Sequence, residues 1–277
     1  MPGKNGGDRV EVRKTYKQYV GGEFVRSESG RAYRPDGAVN VPRGSRKDLR
    51  DAVKAARGAF GGWAGRTAMN RGQILYRAAE MLDDRRSQFV ELLGGGRPAR
   101  EELDQAVETF VWYAGWTDKL AQVTGTVNPV AGPYFNFTIP EPTGVVGIVA
   151  PETPALAGLV RRLAAALCGG NVIVALAPEE RPLPALTLAE VLATSDFPPG
   201  VVNVLSGQRR ELLPWLASHM DVNAIDVGGC TPDEVGLVEA AAADNVKRVV
   251  KLPPGERSPH LITAFMEMKT IWHPIGV

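Results

Sequence analysis

Residues 145–176 read VVGIVAPETPALAGLVRRLAAALCGGNVIVAL. Two short runs, Val145–Ala150 and Val172–Leu176, are apolar at every position, and a helical pattern over Ala155–Cys168 separates them. A strand that is apolar on both faces is buried on both faces, and a helix between two such strands implies a crossover and parallel pairing. The alternation continues downstream. A helix over Pro184–Thr194 leads to a strand at Val201–Leu205, and a helix over Glu211–His219 to a strand at Ala224–Val227. A last helix over Glu234–Ala243 leads to a strand at Val246–Leu252. Right-handed crossovers turn this order into a Rossmann-like, doubly wound parallel sheet of about five strands, an α/β fold. No G-x-G-x-x-G follows the first strand, so the pattern alone does not establish a cofactor.

Upstream the reading changes. Residues 1–14 are polar and glycine-rich and read as a loose tail. Between residues 16 and 42, Gly-Gly, Ser-Gly and Asp-Gly break short apolar patches into small hairpins. Ser45 with Asp48 three residues on predicts a capped helix carrying Leu49, Val53, Ala56 and Phe60, and Thr67 caps a second carrying Ile74, Leu75, Ala78 and Leu82. After the Gly94-Gly95-Gly96 run and Pro98, a third is expected from about Glu101 to Leu120. At the other end, Thr263–His273 alternates as one strand. Phe265, Glu267, Lys269 and Ile271 lie on one side and Met266, Met268, Thr270 and Trp272 on the other. This strand has no obvious partner in the parallel sheet.

The chain has 277 residues, enough for a sizeable core, with 32 basic and 31 acidic side chains. A balance so near neutrality gives no electrostatic reason to expect nucleic acid or an anionic membrane as partner. The N-terminus lacks the apolar stretch of a signal peptide, no apolar run approaches a membrane span, and two cysteines make no disulfide framework. A cytoplasmic protein is the expectation.

Several blocks carry a family resemblance. YVGGEFVRSESG (19–30), the long segment from Ser45 to Leu82, EPTGVVGIVAP (141–151), FPPGVVNVLSG (197–207) and SHMDVNAID (218–226) occur in order and at family spacing. They resemble the N-terminal and coenzyme-binding portions of the aldehyde dehydrogenase superfamily. AFMEMKTIWHP (264–274) is similar to that family's C-terminal strand, part of the oligomerisation arm, whose other part falls at about 122–142. The division implied is a tail over 1–14, a coenzyme-type domain over 15–260 and an oligomerisation strand over 261–277. The family's catalytic domain is missing between Pro259 and the last strand.

The resemblance implies vacancies. The family's nucleophilic cysteine lies in the missing domain, and no cysteine follows Cys230. The family's oxyanion asparagine is matched by Thr153. Its glutamate base has no match in LPPGERSP, where Glu256 is close but out of register. Of the ribose-binding pair, Glu179 matches the glutamate while Leu176 replaces the lysine. In the family's glycine turn Gly207 remains and Arg209 replaces the second glycine, where a side chain crowds the adenosine. Gly229 and Thr231 match the turn that opens the next helix, although Pro232 removes an amide donor. Weak NAD binding or none follows.

The other tempting residues have plain readings. Cys230 fills a turn, Cys168 is a core residue, and Trp63, Trp112 and Trp116 pack the N-terminal helices. His219, His260 and His273 are too scattered for a metal. The expected role is a non-catalytic structural or regulatory subunit, inactive on its own, similar to the degenerate second module of two-module family members. It would assemble with a full-length aldehyde dehydrogenase through Phe265, Met266, Met268, Ile271 and Trp272. An NAD(P)-dependent oxidoreductase component that completes a composite site with its partner remains open, as does a stand-alone NAD-fold scaffold homodimer.

Overall fold

The computed structural model describes residues 14–35, 37, 39–251, 255 and 257–276. The tail over 1–13, Glu256 and the Leu252–Pro254 end of the last expected parallel strand lie outside the described residues.

The N-terminal segment forms two antiparallel pairs: β1 (Gln18–Val20) with β2 (Glu23–Val25), and β3 (Ala32–Tyr33) with β4 (Val41–Pro42). Helices α1 (Arg46–Ala64), α2 (Ala68–Asp84), α3 (Arg86–Leu92) and α4 (Gly96–Ala114) follow. Ser45 and Asp48 make the expected reciprocal cap on α1: Asp48 N donates to Ser45 Oγ and Ser45 N to Asp48 Oδ2. The same carboxylate accepts from Ser27 Oγ at 2.9 Å and Glu28 N at 2.9 Å, which fastens the hairpin segment to the helix. Helix α4 starts five residues earlier than expected. Pro98 sits in its first turn, where a missing N–H costs no intrahelical bond. The helix stops at Ala114 rather than Leu120, and a separate short helix, α5 (Leu120–Thr124), follows. Trp63 is fully buried, its ring centroid 5.6 Å from that of Phe197; Trp112 packs on Tyr113 and Trp116.

Strands β5 (Thr126–Asn128) and β6 (Tyr134–Pro142) lead into the parallel core. That core contains β7 (Val145–Val149), α6 (Ala157–Cys168), β8 (Val172–Leu176), α7 (Leu183–Ala193) and β9 (Val202–Leu205). It continues with α8 (Arg209–Ser218), β10 (Ala224–Asp226), α9 (Pro232–Ala243) and β11 (Arg248–Val250). The five strands are parallel in the order β11-β10-β7-β8-β9, as the alternating pattern requires. The sheet is larger than five strands because the β1–β2 hairpin adds to β9 antiparallel. Contacts place α1, α8 and α9 side by side, while α6 is packed under α2 and α4. This accounts for the burial of all twelve α6 residues, two arginines included. Strand order reverses between β7 and β10, and ligands of open α/β sheets lie outside the carboxyl ends of the strands at such a reversal.

The chain end corrects an expectation. Thr263 closes a short helix, α10 (Pro259–Thr263), and the strand β12 runs over Met266–Pro274. It has a partner in its own chain. All nine residues of β12 pair antiparallel with β6, from Met266↔Pro142 to Pro274↔Tyr134, and β5 extends the sheet on the far side. Among the described residues no strand pairs with the outer edge of β12. Phe265 and Met266, expected to serve oligomerisation, are 0% and 3% exposed and belong to the core of the chain. Asn171 Nδ2 and Thr143 N both donate to the Phe265 carbonyl, at 3.0 and 3.1 Å, so the turn before β12 is tied to the parallel sheet.

Candidate functional site

The switch-point crevice is lined by the turns that follow β7, β8, β9 and β10, and the Arg209 side chain lies across it. Arg209, first residue of α8, is only 11% exposed at its side chain. Its Nη1 donates to the Gly229 carbonyl at 2.7 Å and reaches Glu234 Oε2 at 3.4 Å. Its Nη2 donates to Glu152 Oε1 at 2.8 Å and reaches the Ala150 carbonyl at 3.5 Å. The guanidinium therefore bridges the ends of β7 and β10, the two strands between which the order reverses.

Glu179 follows β8 and is committed elsewhere. Its Oε2 accepts from the Arg209 backbone N at 2.7 Å, which places the carboxylate at the positive N-terminal end of α8. Its own N donates to Glu152 Oε1 at 2.8 Å, Glu180 N donates to Glu152 Oε2 at 3.1 Å, and Tyr33 Oη donates to the Glu179 carbonyl at 3.2 Å. Burial, with the Glu179 and Glu152 charges adding to it, pushes the Tyr33 phenol well above its ordinary value. Leu176, in the place of the ribose-binding lysine, is 3% exposed at the end of β8.

Gly207 packs against the start of the first helix: a Cβ there would lie 2.9 Å from Gly44 N. Gly229 is tighter still, since a Cβ would come within 2.3 Å of the Ala150 carbonyl. Thr231 caps α9 in a second reciprocal pair: Glu234 N donates to Thr231 Oγ1 at 3.3 Å and Thr231 N to Glu234 Oε2 at 2.8 Å. Pro232 follows without an N–H. The helix end expected to receive a phosphate already holds a carboxylate. A guanidinium spans the reversal point, and the amides of Glu179, Glu180, Arg209 and Thr231 are bonded to the chain's own carboxylates.

Beside the crevice, a cavity of about 660 Å³ opens between the start of α6 and the turn after β10. Thr153, the match for the oxyanion asparagine, lines it together with Arg161, Arg162 and Arg257. Those arginines have partners. Arg162 Nε donates to the buried Asp226 at 2.8 Å, Arg161 Nη1 to the Gly255 carbonyl, and Arg257 Nη1 to Glu108 at 3.1 Å. Neither cysteine is among the cavity's lining residues. Burial pushes the Cys168 thiol up to about 12, and burial with the Glu234 charge does the same to Cys230. Both shifts favour the thiol over the reactive thiolate. No cluster of three or more His, Cys, Asp or Glu suited to a metal occurs among the described residues. No helix among them is long and apolar enough to cross a membrane.

The arm sheet offers a surface rather than a site. Residues opposite each other in register share a face, so Val127, Phe137 and Ile271 form a row, with Phe135 and Ile139 on either side of Phe137. Val127 is 68%, Phe135 45%, Ile139 36% and Ile271 38% exposed. The opposite face carries Trp272, its ring edge-on to Tyr134, with Met268 and a polar row in which the Thr138 and Thr270 hydroxyls are 2.9 Å apart. Among the residues expected to serve oligomerisation, Met268, Ile271 and Trp272 are therefore exposed, on two different faces. Val127, Phe135 and Ile139 fall within the arm segment expected at about 122–142, although none of them was singled out there. Glu152, Glu234 and Asp226 were missed too. Their arginine partners, Arg209 and Arg162, lie 25 to 64 residues away along the chain, and local spacing signals only the Thr231–Glu234 cap.

Comparison with known proteins agrees with this fold. The profile described as "Aldehyde dehydrogenase family" matches residues 31–272. Human retinal dehydrogenase 2 is 36% identical over 92% of this chain and 51% of its own length. The mitochondrial aldehyde dehydrogenase of Rattus norvegicus is 36% identical over 82% and 45%. Among solved structures, an aldehyde dehydrogenase of Bacillus cereus in complex with NAD+ superposes with a TM-score of 0.78 at 30% identity, covering 85% of this chain and 50% of that one. HpcC of Thermus thermophilus superposes with 0.79 at 29% identity, covering 85% and 47%. The chain spans about half the length of the relatives it matches.

Proposed function

The chain belongs to the aldehyde dehydrogenase family, and from that premise we propose that it is a non-catalytic subunit, structural or regulatory, which assembles with a full-length aldehyde dehydrogenase. The observation that carries this reading is the arm sheet. Its apolar residues Val127, Phe135, Phe137, Ile139 and Ile271, beside the Lys269–Glu141 ion pair, are not part of the core cluster, and the outer edge of β12 pairs with no described strand. An apolar sheet face beside an open edge is a surface that a partner strand completes by β-augmentation. The chemistry of the rest supports the non-catalytic half. Burial raises the pKa of both thiols, Thr153 stands where the family has its oxyanion donor, and Arg209 lies across the coenzyme crevice.

Co-expression of the tagged chain with a full-length aldehyde dehydrogenase of the same source, followed by size-exclusion chromatography, tests the reading. The unaltered chain is expected to co-elute. Phe135→Asp with Ile271→Asp is expected to abolish co-elution while leaving the melting temperature of the isolated chain within a few degrees. Losing two buried apolar side chains costs about 3–6 kcal/mol of association, two to four decades of affinity. Co-elution unchanged by the two aspartates contradicts the assembly surface. Aldehyde oxidation by the isolated chain contradicts the non-catalytic half.

A further inference from the structure

We propose that Arg209 is an internal occupant of the dinucleotide crevice, and that its guanidinium, together with the carboxylate of Glu152, is what closes this chain to NAD. The proposal does not rest on the assembly reading, because binding is measured on the isolated chain.

The crevice around Arg209 is built for a planar cation. Two backbone carbonyls, of Ala150 and Gly229, and two carboxylates, of Glu152 and Glu234, surround one guanidinium from both sides of the strand reversal. Charge-assisted, multidentate bonding of this kind is the geometry a guanidinium satisfies and a lysine does not. The ion pairs also explain why the side chain does not swing out for a dinucleotide. Leaving would take the counter-charge from Glu152 and Glu234, whose remaining donors are backbone amides, and two uncompensated carboxylates would then face the pyrophosphate of the incoming ligand. Like charges brought together in a half-buried crevice are costly, so the anion meets both a steric and an electrostatic barrier.

The closure is also anchored by the backbone. Arg209 N donates to Glu179 Oε2 at 2.7 Å, and Glu152 in turn accepts from the Glu179 and Glu180 amides. The residues that would greet a ribose and a phosphate are thus wired to the plug. By contrast, the strand reversal itself is intact. Removing the guanidinium together with one of the carboxylates it neutralises should reopen the crevice.

The experiment compares the isolated chain with Arg209→Gly/Glu152→Gln, titrating NAD by calorimetry after both have been shown to melt cooperatively. The double variant is expected to bind NAD at least tenfold more tightly than the unaltered chain. Equal affinity in the two, measurable or not, overturns the proposal. Should the double variant fail to fold, the unaltered chain still decides. Nitrogen-detected NMR should resolve the Arg209 guanidinium as a slowly exchanging group, protected by its four acceptors, and 5 mM NAD should leave it unmoved. A saturable displacement of that signal by NAD shows that the guanidinium yields to the ligand and overturns the proposal.

Discussion

Cutting the chain after Leu261 is expected to abolish cooperative folding, whereas cutting it after Met268 is not. The shorter product loses Ile262, Phe265 and Met266, which are 0%, 0% and 3% exposed. It also loses the Phe265 carbonyl to which Asn171 and Thr143 donate, and the Ala264 and Met266 carbonyls to which Arg248 donates at 3.1 and 2.6 Å. Deleting one large buried side chain costs about 2–5 kcal/mol, so three of them approach the whole stability of about 5–15 kcal/mol that a domain has. The cut after Met268 spares these groups, as well as the ion pair of Arg248 with Glu267 at 2.9 Å. Its losses are the exposed, arm-forming part of β12. Thermal melts followed by circular dichroism check both. A cooperative melt for the shorter product within a few degrees of the full chain would show that the turn before β12 is not part of the core.

Arg162→Met is expected to destabilise the chain by about 3–5 kcal/mol, because it leaves a carboxylate buried without its counter-charge. Arg162 and Asp226 are 4% and 0% exposed at their side chains, and Arg162, whose ion pair with Asp226 is 2.8 Å long, lines the cavity beside the crevice. Asp226 Oδ1 accepts from Arg162 Nε and Gly228 N, while Oδ2 has no hydrogen-bond partner. Desolvation raises the Asp226 carboxyl above its ordinary value, and the nearby Arg162 charge opposes that rise. With the arginine gone the rise is larger. A carboxyl whose pKa is higher folded than unfolded holds a proton in the folded state that the unfolded chain has already lost. Folding stability then falls as pH rises above the unfolded value. The penalty of Arg162→Met should accordingly be smaller at pH 5 than at pH 7.5, and Arg162→Met/Asp226→Ala should recover most of it. Denaturant unfolding at the two pH values reads this directly. A penalty equal at the two pH values would mean that the loss comes from packing alone, and one that grows on acidification would contradict the buried-charge account.

The parallel core was legible because each of its strands is a continuous apolar run and each helix a periodic one, as in Val145–Val149, Ala157–Cys168 and Val172–Leu176. The Ser45 cap was legible for the same local reason. What escaped depends on residues remote in sequence. The β12–β6 pairing joins segments more than a hundred residues apart, and the nine-residue register follows from tertiary placement rather than from either strand's pattern. Phe265 looked like the start of an alternating strand. The short α10 helix shifts that start to Met266 and turns Phe265 inward. At the crevice, the sequence exposed the arginine in place of a glycine. It did not expose the four acceptors that hold the guanidinium, since Ala150, Glu152, Gly229 and Glu234 come from the turns after β7 and β10 and from α9. Their convergence is a property of the sheet's strand order.

The mass of the complex that holds this chain at native expression level tests the assembly reading most directly. Native mass spectrometry of the affinity-purified chain is expected to give a mixed particle, containing this chain of 29.7 kDa and a second aldehyde dehydrogenase chain of about twice its length. A particle made of this chain alone, whether one copy or several, would contradict it.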